Sequence, residues 1–178
     1  MMAKRFELAQ HLRVCFPVLP IPPYPTEMGL DPTGREDEYA GFANKQWTEV
    51  DPVHYRWNPG YDISPAIGFR CHELPHMWNY YMPGFMSASL THETEFEIAD
   101  GFIWTLRELQ VPAPRHPNAG PWWGGNVHFE HYSREQMAAV VWYLKFVRQH
   151  GVEKPLHYEW ERQDDRMLSR WEASLGTI

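Results

Sequence analysis

Proline 75 is the residue that most constrains the fold of this chain, because it stands inside the string His72-Glu73-Leu74-Pro75-His76. That string spells H-E-x-x-H, the zinc-protease signature, which requires one continuous helix so that two histidines four positions apart can grip the metal. Proline lacks an N–H and disfavours the helical conformation of the preceding residue, so it belongs in the first turn of a helix. We therefore predict a helix that starts at Pro75 and leaves His72 and Glu73 outside. The string is then not a metalloprotease site.

Size and composition indicate a single compact domain. The chain has 178 residues, of which 43% are hydrophobic and 15% aromatic, far more apolar than a disordered chain. A chain of this length buries roughly 70% of the surface that its unfolded form exposes, so we expect no second independent domain.

Charge and cysteine content limit the classes of function. The formal charge of -7 disfavours nonspecific binding to nucleic acid, which depends on Lys and Arg at phosphates, and suits a basic protein partner better. The two cysteines, Cys15 and Cys71, are too few for a disulfide framework. No leader with a cleavage site opens the sequence, and no apolar run reaches the ~20 residues that cross a bilayer. We expect a soluble, cytoplasmic protein.

Apolar residues at helical spacing predict about six helices and hence a mainly α fold. The predicted ranges are 2–16, 35–47, 75–90, 94–109, 133–150 and 157–175. In the first helix we expect an inward stripe made of Phe6, Ala9, Leu12 and Phe16. Arg5 is expected to turn away from it, together with Glu7 and Arg13.

Capping boxes mark two helix starts, because Thr94 precedes Glu97 by three residues and Ser133 precedes Gln136 in the same way. The helix after Ser133 is apolar on nearly all sides over 137–147 and stops at 150–151, so we expect it at the centre of the fold. The last helix is expected to bury Trp160, Met167, Leu168, Trp171 and Leu175. Its opposite, solvated face is expected to carry Glu161, Arg162, Asp165 and Arg166.

Segments rich in proline and glycine connect these helices. Residues 17–25 hold five prolines, which predicts a rigid strap that lies along the helices through Val18, Leu19, Ile21 and Tyr24. The alternative for this segment is a ligand for an aromatic-groove domain. Pro83 is expected to bend or divide its helix. Short strands at 53–57 and 67–71 are left open, and 112–128 is expected to be a long loop.

The block Leu74-Pro75-His76-Met77-Trp78-Asn79-Tyr80-Tyr81-Met82-Pro83 resembles a pattern, Thr-Pro-Glu-x-aromatic-x-Tyr-Tyr-Leu-Pro, of a family of small bacterial proteins of unknown function. The Lys45-Gln46-Trp47 end of an acidic helix, the Ser133-x-x-Gln136 start and a final helix that ends near Trp171 are similar too. Leu74 and His76 depart from the family's Thr and Glu, and the Trp122-Trp123 loop is an addition. The resemblance implies a helix start at Pro75 and no known activity.

Metal and nucleophile chemistry have weak support in the sequence. The candidate metal-ligating side chains are His72, His76, His128 and His131, with Cys71 beside the first pair. Nothing in their spacing shows that folding brings them together, so we expect no metal and no cofactor. Neither a G-x-S-x-G elbow nor a phosphate-binding G-x-x-x-x-G-K loop is present, so no catalytic residues are assigned. Cys15 is expected to be a core thiol and not a reactive one.

Two features are candidates for protein binding. The pair Trp122-Trp123 is either an exposed aromatic platform or a plug that holds its own loop to the core. The acidic residues Glu161, Asp164 and Asp165 form either a merely solvated helix face or a contact for a basic partner.

The leading hypothesis from these observations is a non-enzymatic binding protein, similar in role to an immunity protein or antitoxin that occludes a basic partner. A metal-dependent hydrolase that uses the histidines named above is the second hypothesis. An accessory subunit of a phage or secretion apparatus is the third. The sequence leaves the partner and the oligomeric state open.

Overall fold

The computed structural model describes residues 2–22, 45–49, 75–91, 98–108, 129–153, 156 and 158–176. These residues form five α-helices, namely α1 (Met2–Cys15), α2 (Pro75–Thr91), α3 (Ile98–Glu108), α4 (Arg134–His150) and α5 (Arg162–Leu175). Two short 3-10 turns lie at Trp47–Glu49 and Phe129–His131. The mainly α fold is confirmed, and no strand occurs in these ranges. The strands considered at 53–57 and 67–71 and the loop at 112–128 lie outside them.

Helix α4 lies at the centre of the described fold, as predicted. Its start is fixed by the Ser133 capping box, in which the Gln136 N–H donates to Ser133 Oγ and the Ser133 N–H donates to Gln136 Oε1. The helix packs along α1 and α5. Its Tyr143 hydroxyl lies 2.8 Å from Ser89 Oγ of α2, and the Tyr143 ring meets Phe102 of α3 edge to face. One helix therefore contacts the other four.

Helix α1 has the predicted extent, but its buried face is rotated from the predicted one. Leu8, Leu12 and Phe16 are buried, whereas Phe6 is 51% exposed and Arg5 only 8% exposed. Because α1 packs against both α2 and α4, its buried stripe is centred on Leu8 and Leu12. Position 5 falls within that stripe, where the methylene groups of an arginine can cover apolar surface. The expectation that Phe6 points inward and Arg5 outward is wrong.

Helix α2 begins at Pro75, in agreement with the steric argument from the sequence. It continues through Pro83 to Thr91 as one helix, so Pro83 does not divide it. Its inward side chains include Tyr81, Met82, Phe85, Met86 and Leu90. His72 and Glu73 lie outside the described residues.

Over 17–22, the predicted strap is bonded through its backbone to aromatic donors of the first 3-10 turn and of α2. The Trp47 indole N–H donates to the Pro17 carbonyl at 3.2 Å, and the Tyr80 hydroxyl donates to the Val18 carbonyl at 2.6 Å. Val18 packs on the core, but Leu19 is 60% exposed and does not lie on a helix as expected. Residues 23–25 of the predicted strap are not described.

Trp47 does not end a long helix. Residues 45 and 46 are irregular, and 47–49 form a separate 3-10 turn in which the Glu49 carboxylate accepts the Gln46 N–H at 2.9 Å. The turn approaches α2 so closely that a Cβ at Gly84 would lie 2.7 Å from the Trp47 carbonyl oxygen. The helix predicted for 35–47 is therefore wrong at its carboxyl end, and 35–44 are not described.

Helices α3 and α5 bury most of the apolar residues predicted for them, and α5 begins later than predicted. Helix α3 buries Ile98, Phe102, Ile103 and Leu106, which lie at helical spacing within the predicted helix, and it also buries Ala99. The capping box at Thr94 lies outside the described ranges. Helix α5 begins at Arg162, five residues later than predicted, because the Glu161 N–H donates back to Asp164 Oδ2 at 2.8 Å and closes the first turn there. Residues 158–161 are not helical.

Candidate functional site

Asp164, one of the acidic residues proposed for partner binding, is the most buried charged residue in the described ranges. Its side chain is 0% exposed, so the expectation that it lies on the solvated face of the last helix is wrong. Asp164 occupies the third position of α5, which turns its carboxylate back toward the start of the helix. A partner protein cannot reach this carboxylate in the folded state.

Three donors converge on the Asp164 carboxylate, one from α3 and two from the segment before α5. The Tyr158 hydroxyl donates to Oδ2 at 2.5 Å and the Glu161 N–H donates to the same oxygen at 2.8 Å. Arg107 of α3 donates from Nη1 to Oδ1 at 3.4 Å and also to Glu161 Oε2 at 3.2 Å. Burial, followed by the hydrogen bond to Asp164 and its charge, raises the pKa of Tyr158 well above its ordinary value. This buried polar cluster joins α3, the segment before α5 and the start of α5.

The remaining acidic residues of α5 pair with basic residues of α4. Arg148 Nη2 lies 3.1 Å from Asp165 Oδ1, which also accepts the Trp160 indole N–H at 3.1 Å. Lys145 Nζ lies 2.7 Å from Glu172 Oε1. Together with Arg107, these pairs neutralise the acidic residues that the sequence suggested as a contact for a basic partner. The ion pairs of Asp165 and Glu172 connect α5 to α4.

Acidic and basic residues are nearly balanced in the described part of the chain. Its ranges contain 12 acidic and 11 basic residues, whereas the other segments contain 11 acidic and 5 basic residues. Most of the formal charge of -7 therefore comes from segments such as 23–44 and 92–97. The first holds Glu27, Asp31, Glu36, Asp37 and Glu38 against Arg35, and the second holds Glu93, Glu95 and Glu97.

Several predicted site residues lie outside the part of the chain that the structure describes. Trp122, Trp123, His72 and His128 lie outside the described residues, as does the side chain of His76 in the first turn of α2. His131 is exposed in the second 3-10 turn. Within the described ranges, no group of three or more His, Cys, Asp or Glu side chains is arranged around a common metal position. No helix of these ranges is long and apolar enough to cross a membrane.

A pair that the sequence argument passed over lies at the seam between α1 and α4. Cys15 Sγ is 3.4 Å from His11 Nε2, one helical turn earlier. The His11 ring meets the Trp142 ring edge to face at 5.0 Å, and Trp142 is 37% exposed. Burial, and secondly the carboxylate of Glu135, raises the pKa of the Cys15 thiol. Cys15 is only partly buried, and the spacing of His11 and Cys15 on one predicted helix was the signal that could have identified the pair.

Comparison of the chain with protein-family models, with curated proteins and with solved structures found no match.

Proposed function

We propose that this protein is a non-enzymatic binding protein that recognises a basic protein partner, in a role similar to that of an immunity protein or antitoxin. The distribution of charge is the observation that carries the proposal. In the described ranges acidic and basic residues nearly balance, and Asp164, Asp165 and Glu172 lie in cross-helix ion pairs. The surplus negative charge is concentrated in segments 23–44 and 92–97 of the sequence.

Segment 23–44 is the principal recognition element in this proposal. It carries five acidic residues against one basic residue, a net charge of -4. A concentrated charge of one sign speeds encounter with an oppositely charged surface and excludes partners of like charge. The acidic residues of α5 are less suitable, because a partner would have to break their existing ion pairs.

Two matched variants test the assignment of recognition to segment 23–44. The first, Glu36→Gln with Asp37→Asn and Glu38→Gln, removes three charges from segment 23–44. The second removes three exposed charges from the helical body through Glu153→Gln, Glu159→Gln and Glu172→Gln. Both variants have the same net charge and the same type of substitution.

The two variants and the wild type are used to capture proteins from an extract of the source cell at low and moderate salt. We expect the wild type and the second variant to retain the same basic protein, and the first variant to lose it. We expect less partner protein to be retained at moderate salt than at low salt, because dissolved ions screen the attraction between exposed charges. Equal retention by all three proteins, or a partner with an acidic surface, would contradict the proposal.

A further inference from the structure

We propose that Cys15 and His11 form a binding site for a thiophilic divalent cation of the Zn²⁺ type at the seam between α1 and α4. The inference is independent of the partner-binding proposal, since it concerns different residues and a different ligand.

The distance between the two donor atoms suits a shared metal ion. Zinc binds a thiolate sulfur at about 2.3 Å and an imidazole nitrogen at about 2.0–2.1 Å, so two such ligands at a tetrahedral angle lie about 3.5 Å apart. Cys15 Sγ and His11 Nε2 are 3.4 Å apart without any change in conformation. The direct hydrogen bond between them would be replaced by two bonds to one ion.

Helix α1 already holds the two proposed metal ligands close together. Residues four positions apart on an α-helix lie on the same face, so α1 places both donors on one side without a contribution from loops. The ring of Trp142 contacts the His11 ring edge to face and limits its rotation. Less conformational freedom is then lost when an ion binds.

The environment is accessible and has a favourable charge. Cys15 and His11 are both partly exposed, so an ion and its remaining water ligands can enter. The carboxylate of Glu135, at the start of α4, acts on the Cys15 thiol through its negative charge. That charge opposes the formation of a bare thiolate and favours a bound cation. Two protein ligands leave open positions for water, so the site is of moderate affinity.

Binding must release the thiol proton, because the thiolate is the metal ligand. The sulfur–hydrogen bond is broken, a sulfur–metal bond forms and the proton goes to solvent, with no change in oxidation state. His11 binds in its neutral form through Nε2. Affinity should therefore rise with pH, because each bound ion displaces a proton.

The experiment must separate this site from the chain's nine other histidines and from Cys71. Cd²⁺ and Co²⁺ serve as probes, because a bond to a thiolate gives a ligand-to-metal charge-transfer band that histidine alone does not give. Four proteins without a histidine tag are titrated, namely Cys71→Ser, Cys71→Ser with Cys15→Ser, Cys71→Ser with His11→Ala, and Cys71→Ser with His131→Ala. The last is the control for loss of an exposed histidine elsewhere.

We expect the charge-transfer band in Cys71→Ser and in the His131 control, with the same affinity and with release of one proton per ion. The Cys15 variant should lack the band. The His11 variant should bind more weakly by at least about 10-fold, since loss of a group that only orients a metal ligand already costs about 10- to 100-fold. Circular dichroism verifies that each variant is folded.

Two results would overturn the inference. One is the absence of a thiolate band in Cys71→Ser at a large excess of either ion. The other is an affinity that is unchanged when His11 is replaced in a folded protein, which would show that the thiol binds the ion without the imidazole.

Discussion

The hydroxyl of Tyr158 donates a 2.5 Å hydrogen bond to Oδ2 of Asp164, and both side chains are buried. Tyr158 precedes α5, and Asp164 lies in the first turn of that helix, so this bond fixes the direction in which the chain enters the helix. Arg107 reaches the other carboxylate oxygen from α3. The start of α5 is thus determined by a cluster of polar groups inside the protein.

Replacement of Asp164 by alanine should lower the free energy of unfolding by about 2–4 kcal/mol, because it leaves Tyr158, Arg107 and the Glu161 N–H without their shared acceptor. Asp165→Ala is the matched control, since it removes the neighbouring carboxylate from an exposed pair with Arg148 and should cost at most about 1 kcal/mol. Chemical denaturation measures both values. Equal losses of unfolding free energy in the two variants would show that the buried cluster stabilises the protein no more than the exposed ion pair does.

Alkaline pH should destabilise the protein through its buried tyrosines. Burial raises the pKa of Tyr143 and of Tyr158 in the folded state, and an unfolded tyrosine ionises near pH 10. The stability that these neutral hydroxyls contribute is complete below about pH 10 and is lost as the pH rises toward their folded pKa values. In that window each of the two tyrosines should lower the free energy of unfolding by about 1.4 kcal/mol per pH unit. Denaturation curves between pH 8 and about 11 test this, with Tyr143→Phe and Tyr158→Phe each expected to flatten the profile.

The local signals in the sequence were sufficient to place most of the described helices. The start of α2 follows from the geometry of Pro75, and the start of α4 follows from the reciprocal bonds of Ser133 and Gln136. Both are interactions within one turn of chain, so residue types at short spacing determine them. The helix stripe of α3 was predictable for the same reason.

Features that depend on distant partners could not be predicted in this way. Arg107 and Asp164 are 57 positions apart, and nothing in their local sequence distinguishes them from solvated helix residues. The burial of Arg5 and the exposure of Phe6 depend on the two helices that α1 contacts, because their positions centre its buried stripe on Leu8 and Leu12. The acidic residues of α5 are buried or ion-paired, so the proposed recognition element is instead segment 23–44, which holds five acidic residues against one basic residue.

A side chain at position 151 should destabilise the protein, although the backbone conformation of Gly151 is one that any residue can adopt. Its φ of -57° and ψ of -39° are right-handed helical values, so the left-handed conformation usual for a glycine at a helix end is not the reason for its presence. A Cβ there would lie 2.3 Å from the Tyr158 carbonyl oxygen, at the point where the Tyr158 N–H donates to the Gly151 carbonyl. Gly151→Ala should therefore destabilise the protein by about 1–3 kcal/mol.

Gly176, at the end of α5, is the matched control for that substitution. It also has right-handed φ and ψ, but a Cβ there would lie at an ordinary 3.5 Å from the Ala173 carbonyl oxygen. Gly176→Ala should be neutral or stabilise the protein by up to about 1 kcal/mol, since it restricts the unfolded chain. Thermal unfolding of the two variants distinguishes them, and a stable Gly151→Ala protein would contradict the close approach of Tyr158.

The strap should be held cooperatively by Trp47 and Tyr80, whose side chains donate to the adjacent carbonyls of Pro17 and Val18. Loss of either donor should cost about 1 kcal/mol, beyond any packing change at Trp47. Since release of one carbonyl loosens the other, Trp47→Phe with Tyr80→Phe should lose less stability than the two single variants together. A double-mutant cycle by chemical denaturation should give a coupling above about 0.5 kcal/mol. Additive losses within that limit would mean that the two bonds form independently, so that the strap would not behave as one unit.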